Sequence, residues 1–196
     1  MGKKTDIFEL YEKRINDILE RPHKPEHENY AAISEVEREI YTNLIQGELD
    51  IRSKRTNLTE GKYIIAVNID IPASNDCYIR EITDIDQDIK QDYMDKSKFA
   101  VRIDLKENFA GKVYFLSKEE KSKIFSNGGW DNFHNIFGVI PLITFSRPGI
   151  NKNMNKGIMW ISSYYGGLAG SGELLLIMKK NNRWYKTNNC WVCKVS

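Results

Sequence analysis

Four groups of residues in this chain have types and spacings that could do chemistry. The first is Gly166-Gly167-Leu168-Ala169-Gly170-Ser171-Gly172. Glycine loops hold phosphates on free backbone N–H groups. A phosphate loop also needs G-x-x-x-x-G-K-[ST] leading into a helix, and here Glu173 and an apolar run follow. The segment is therefore expected to be a long hairpin loop whose glycines take positive φ, serving a ligand or partner if it serves any. The second group, Cys190-Trp191-Val192-Cys193, has CxxC spacing. A redox pair sits at a helix N-terminus, whereas these two fall in a strand-like run. Residues three apart on a strand face opposite sides and lie roughly 10 Å apart, too far for a disulfide. Only Cys77 remains as a further thiol, so a four-ligand zinc site is not expected.

The third group is Asp84, Asp86, Asp88, Asp92 and Asp95. Their spacing mimics the carboxylates of a calcium loop, but Ile89 stands where that loop demands glycine and Asp95 where it needs a bidentate glutamate. The stripe Ile85, Ile89, Tyr93 favours a helix with an acidic solvated face instead. The fourth group is Asp131, His134 and Arg147. A histidine beside an aspartate can act as a general base, and an arginine can hold an anion with two hydrogen bonds. Arg147 is equally suited to pairing with a carboxylate of its own fold.

The elements that must position these groups follow from periodicity. Ile7, Leu10, Tyr11, Ile15, Ile18 and Leu19 recur at helical spacing, giving an amphipathic helix over Thr5 to Glu20, ended by Pro22 and Pro25. A polar linker with His23 and His27 follows. Ser34-Glu35-Val36-Glu37 matches a capping box. It opens a second helix over Glu35 to Gln46, with Gly47 near its end. Tyr63 to Ile71 reads as a strand stopped by Pro72, and Asp84 to Tyr93 as a helix. Lys112 to Leu116 reads as a strand, and Ser117-Lys118-Glu119-Glu120 as a second capping box before a short helix. Asn127-Gly128-Gly129 breaks the chain ahead of an aromatic passage. Four strands follow, over Leu142 to Ser146, Gly157 to Tyr165, Glu173 to Lys180 and Trp184 to Val195. Asn181-Asn182 forms the last tight turn.

Helices early and antiparallel strands late predict an α+β fold, with helices on one face of a curved antiparallel sheet and a C-terminal β-meander. By analogy this is a cystatin-like or NTF2-like cone. One domain is expected over 1–196, with a helical portion over 1–50 and a sheet-forming portion over 60–196. The 196 residues suffice for one core. Net charge is +2, from 29 basic and 27 acidic residues, without the basic excess of a nucleic-acid binder. Three cysteines argue against a disulfide framework. No run reaches the ~20 apolar residues of a membrane span. No apolar segment follows the basic start Met1-Gly2-Lys3-Lys4. The expected compartment is the cytoplasm, or the exterior if a leader peptide has been removed.

The pattern Ser146-Arg147-Pro148-Gly149-Ile150-Asn151, Trp160-Ile161-Ser162, Gly166-Gly167-Leu168-Ala169-Gly170, Gly172 and Asn182-Arg183-Trp184 resembles one that recurs in a group of uncharacterised bacterial proteins, many of them exported. Phe115-Leu116-Ser117 and Trp130 also sit where that group tends to carry similar residues, so the resemblance spans about Asp84 to the C-terminus. The group carries two cysteines in the turn where this chain has Tyr165 and Ala169, so a redox or disulfide role of that turn is not implied. The resemblance implies a shared fold and brings no function.

The functional expectation is a non-catalytic module of inhibitory or immunity type. It binds an unidentified protein partner through Tyr164, Tyr165, Gly166, Gly167, Gly170 and Gly172, with no cofactor and no metal. The alternative is a small-ligand or hydrolytic pocket between helices and sheet, using Asp131, His134 and Arg147 with Tyr164 near its mouth. Calcium binding over Asp84 to Asp95 ranks third.

Overall fold

The structure, a computed structural model, describes residues 30–56, 64–68, 70–71, 79, 82–105, 109–167 and 169–192. The helix expected over Thr5 to Glu20, the linker histidines, Cys77 and Cys193 lie outside them.

Helix α1 spans Glu35–Thr56. It opens as expected: Glu37 N–H donates to Ser34 Oγ at 3.3 Å and Ser34 N–H to Glu37 Oε2 at 2.8 Å. Its end differs from expectation, because Gly47 lies inside the helix. A glycine there costs about 1 kcal/mol relative to alanine. Leu49, two residues further on and 1% exposed, contributes roughly 1.5–3 kcal/mol by burial. The apolar face therefore carries the helix through the glycine.

The strands and remaining helices follow in order: β1 Ile64–Asn68, β2 Asp70–Ile71, α2 Gln87–Ser97, β3 Val101–Arg102, β4 Lys112–Leu116, α3 Lys118–Ser126, α4 Gly129–Phe137, β5 Leu142–Phe145, β6 Gly149–Ile150, β7 Lys156–Tyr164, β8 Gly170–Lys180 and β9 Arg183–Val192. The expected Ser117/Glu120 capping box opens α3. The single strand expected over Tyr63 to Ile71 is two: β1 joins the main sheet, while β2 pairs with β3 in a separate ribbon.

The main sheet runs β4-β1-β5-β7-β8-β9, with β6 also on β7. From β5 onward it is the antiparallel meander that the alternating apolar runs predict. Asn181 and Asn182 take φ of 50° and 57° at the β8–β9 hairpin, the left-handed pair that a two-residue turn of this twist needs. Periodicity did not forecast the other half: β1 lies between β4 and β5 and is parallel to both. Parallel neighbours need a crossover, and the α3–α4 segment supplies it, carrying the chain from one flank of β1 to the other.

The expectation that the helices share one face is corrected. Met159, Ile161, Leu175, Ile177 and Trp184 pack with Ile40, Tyr41, Leu44, Ile45 and Leu49 of α1. The neighbouring residues Ile158, Trp160, Leu174 and Leu176 pack with Ile89 and Tyr93 of α2. Adjacent residues on a strand point to opposite sides, so α1 and α2 lie on opposite faces. Leu142 of β5, next to Ile143 of the α1 core, packs with Phe133, Ile136 and Phe137 of α4. Helix α4 is therefore on the α2 side. Both sheet faces are apolar, and one layer of helices cannot cover both. Among the described residues no helix is long and apolar enough to cross a membrane.

Candidate functional site

Arg147 is 8% exposed and grips Glu37, itself 1% exposed. Nε donates to Oε1 at 2.8 Å and Nη2 to Oε2 at 3.1 Å. Burial pushes the Glu37 carboxyl up. The Arg147 hydrogen bonds and charge, with the Ser34 N–H and hydroxyl, outweigh it and hold the group below its ordinary value. Tyr41 donates to the Ser146 carbonyl at 3.2 Å. Burial, with the Glu37 charge adding to it, raises its phenol well above the usual range. Ser146 Oγ accepts Trp160 N–H at 2.9 Å.

The rest of the S-R-P-G-I-N run is engaged in the same way. A Cβ on Gly149 would run into Tyr93 Cβ and lie 2.6 Å from Ile89 O, so α2 rests directly on β6 and only glycine fits. Ile150 N–H donates to Asp92 Oδ2 at 2.7 Å and Lys152 N–H to Asp88 Oδ2 at 3.2 Å. Asn151 Oδ1 accepts from Asn155 and Lys156 N–H. The acidic helix face is thus not wholly solvated, because two of its carboxylates dock the β6 segment. Asp86 and Asp95 bond lysines, at 2.8 Å to Lys156 and 2.6 Å to Lys98. The calcium-like spacing of Asp84 to Asp95 lies largely along a helix, and no group of three metal-ligating side chains forms among the described residues.

The structure does not bring the Asp131, His134, Arg147 set together by any hydrogen bond or ion pair. Asp131 is exposed on α4, while Arg147 faces Glu37 of α1. His134 does something else. Its Nε2 lies 2.8 Å from the Tyr165 carbonyl oxygen. A carbonyl only accepts, so Nε2 carries the proton in this contact.

That contact belongs to the corner where α4 meets the glycine hairpin. Gly128 and Gly129, at φ 117° and 61°, set the start of α4. Trp130 then packs edge-on to Phe125 at 5.0 Å and Phe133 at 5.2 Å between ring centroids. A Cβ on Gly167 would meet the Trp130 ring at 3.7 Å, so the loop lies against the indole. Tyr165 N–H closes the loop on the Ala169 carbonyl at 2.7 Å. Tyr165 itself stays 38% exposed.

The glycines differ from expectation in a specific way. None of Gly166, Gly167, Gly170 and Gly172 takes positive φ. Gly170 and Gly172 are strand residues opposite Tyr164 and Ser162. A Cβ on Gly172 would lie 2.9 Å from Trp160 Cε2, and one on Gly170 would lie 3.0 Å from Tyr164 Cε1. The aromatic rings thus lie across bare backbone, and the glycines serve close approach instead of turning.

Two grooves are lined by described residues. One, of about 810 Å³, runs between Ser34, Val36, the acidic face of α2 and the loop from Ile150 to Met154. The other, of about 420 Å³, lies between α1 and the start of β9. Neither is lined by Asp131, His134 or Arg147. Sequence reasoning missed Glu37 as the partner of Arg147, and Trp130 with His134 as braces of the loop. Only the capping box hinted at Glu37, and nothing local links it to a residue 110 positions away.

No family model, curated protein or solved structure matches this chain.

Proposed function

We propose that this protein is a non-catalytic interaction module of inhibitory or immunity type that seats a protein partner on the α4–glycine hairpin corner. One observation supports this above the others. The loop is held by the His134–Tyr165 and Tyr165–Ala169 bonds and by Trp130, yet the Tyr165 ring remains at the surface. A tyrosine on pre-ordered backbone loses little entropy on binding, and tyrosine is a favoured interface anchor. Tyr164, Gly166, Gly167, Gly170 and Gly172 shape the same edge. The proposed compartment is the cytoplasm, in keeping with few, odd-numbered cysteines.

The test is affinity capture from the native host with wild type and Tyr165→Ala, followed by titration of the captured protein in purified form. The expected result is a complex weakened by about tenfold or more in the variant, with an unchanged melting temperature. Equal affinity of the two proteins, or turnover of a small substrate without any partner, would refute the reading.

A further inference from the structure

The turn between α3 and α4 brings together the parts of a reaction that needs no partner. Ser126, Asn127 and Gly128 are all exposed there. Asn127 is the only asparagine of the chain that a glycine follows. The backbone nitrogen after an asparagine can attack the side-chain amide carbon and close a succinimide ring. A side chain on the attacking residue obstructs that approach, and glycine has none.

The attacking group is unengaged: Gly128 N–H donates no hydrogen bond among the described residues. The amide it would attack is tethered, with Asn127 Nδ2 donating to the Lys123 carbonyl at 3.1 Å. That carbonyl also accepts from Ser126 Oγ at 3.1 Å, so releasing Asn127 leaves it satisfied. Asn127 sits at φ −105° and ψ 39°, and closing the ring requires ψ to rotate. Gly128 and Gly129, at φ 117° and 61°, are the residue type best able to absorb that rotation. An exposed helix end also opens at little cost.

We propose that Asn127 is a site of self-modification. Gly128 N bonds to Asn127 Cγ, the Cγ–Nδ2 bond breaks, and ammonia leaves with the Gly128 amide proton. Water then opens the ring at either carbonyl, leaving aspartate or isoaspartate. Neither product can donate to the Lys123 carbonyl, because a carboxylate only accepts. Its charge also lies at the negative end of α3. Isoaspartate adds a methylene to the main chain ahead of Trp130, against whose ring the glycine loop rests. The reaction therefore resets the α3–α4 turn and, through Trp130, the corner beside it.

The experiment incubates the full chain in heavy-oxygen water at neutral and mildly alkaline pH, both folded and in urea. Products are mapped by peptide mass spectrometry with fragmentation that separates aspartate from isoaspartate. The expected result is label uptake concentrated at Asn127, both products present, and a rate that rises with pH. The folded chain should react about fivefold more slowly than the chain in urea, the scale of one exposed hydrogen bond that must open first. Asn127→Gln keeps a donor amide but is one methylene too long for the ring, and should take up no label at that position. In ¹⁵N-labelled protein the Trp130 indole resonance should move as wild type ages and stay fixed in Asn127→Gln. The proposal is overturned if the folded chain reacts more than about a hundredfold more slowly than the chain in urea, if neither form reacts at Asn127, or if other asparagines take up label as fast. A Trp130 resonance that stays fixed in converted protein would overturn the link to the corner.

Discussion

The Ser146–Asn151 run and the glycine hairpin both look like functional motifs, and both gather glycines and polar residues in a short span. Their surroundings differ. In the first, Arg147, Ser146, Asn151 and the Ile150 N–H all have partners inside the fold, reaching α1, α2 and β7. In the second, bonds hold the backbone while Tyr165 is left at the surface. The contrast separates a clasp, which serves the fold, from a platform, which serves something outside it. Residue type alone does not distinguish the two; how far each side chain is buried does.

The sharpest way to break this contrast is Arg147→Met. It leaves the Glu37 carboxylate buried without its cation, and a loss of about 3–5 kcal/mol is expected by urea unfolding. Combining it with Glu37→Leu should recover part of that loss, since a buried pair is costly mainly when half is removed. Recovery will be incomplete because Glu37 also caps α1. Next, Gly149→Ala forces β6 away from backbone and Cβ atoms of α2. It should cost about 1–3 kcal/mol in the same assay.

Acid sharpens the comparison. The folded-state pKa of Glu37 is lowered from 4.5, so its contribution is complete above that value and is lost as pH falls through the folded one. Melting temperature should therefore drop more steeply below about pH 4.5 for wild type than for Glu37→Gln. Parallel curves would contradict the clasp. On the platform, His134→Ala removes one hydrogen bond and should cost about 1 kcal/mol, with faster amide exchange at Tyr165 and Ala169. Smallest of all, Tyr165→Ala should change stability by less than about 0.5 kcal/mol, and its effect should fall on partner binding.

Much of this architecture was legible where the signal is local. The apolar runs in Lys156–Tyr164 and Gly170–Lys180, the Asn181-Asn182 turn and both capping boxes are set by residues a few positions apart. The site was less legible. Period marks a strand but not its neighbours, so the parallel placement of β1 beside β4 and β5 left no trace in Ile64–Asn68. Gly47 looked like a helix end because the burial of Leu49, which overrides it, depends on a sheet formed by distant chain. Gly170 and Gly172 looked like turn residues because the rings they accommodate belong to the opposite strand. Arg147 was noticed, but its partner was not.

Strand β5 joins the two halves of the sheet, parallel to β1 on one side and antiparallel to β7 on the other. During synthesis, β1 leaves the ribosome well before residues 142–145 are made. One flank of β1 must wait open until β5 has emerged, whereas β7, β8 and β9 can zip together as neighbours in sequence. Slow decoding or a stalled ribosome ahead of Leu142 would prolong exposure of that flank, making the nascent chain, more than the finished protein, the aggregation-prone species.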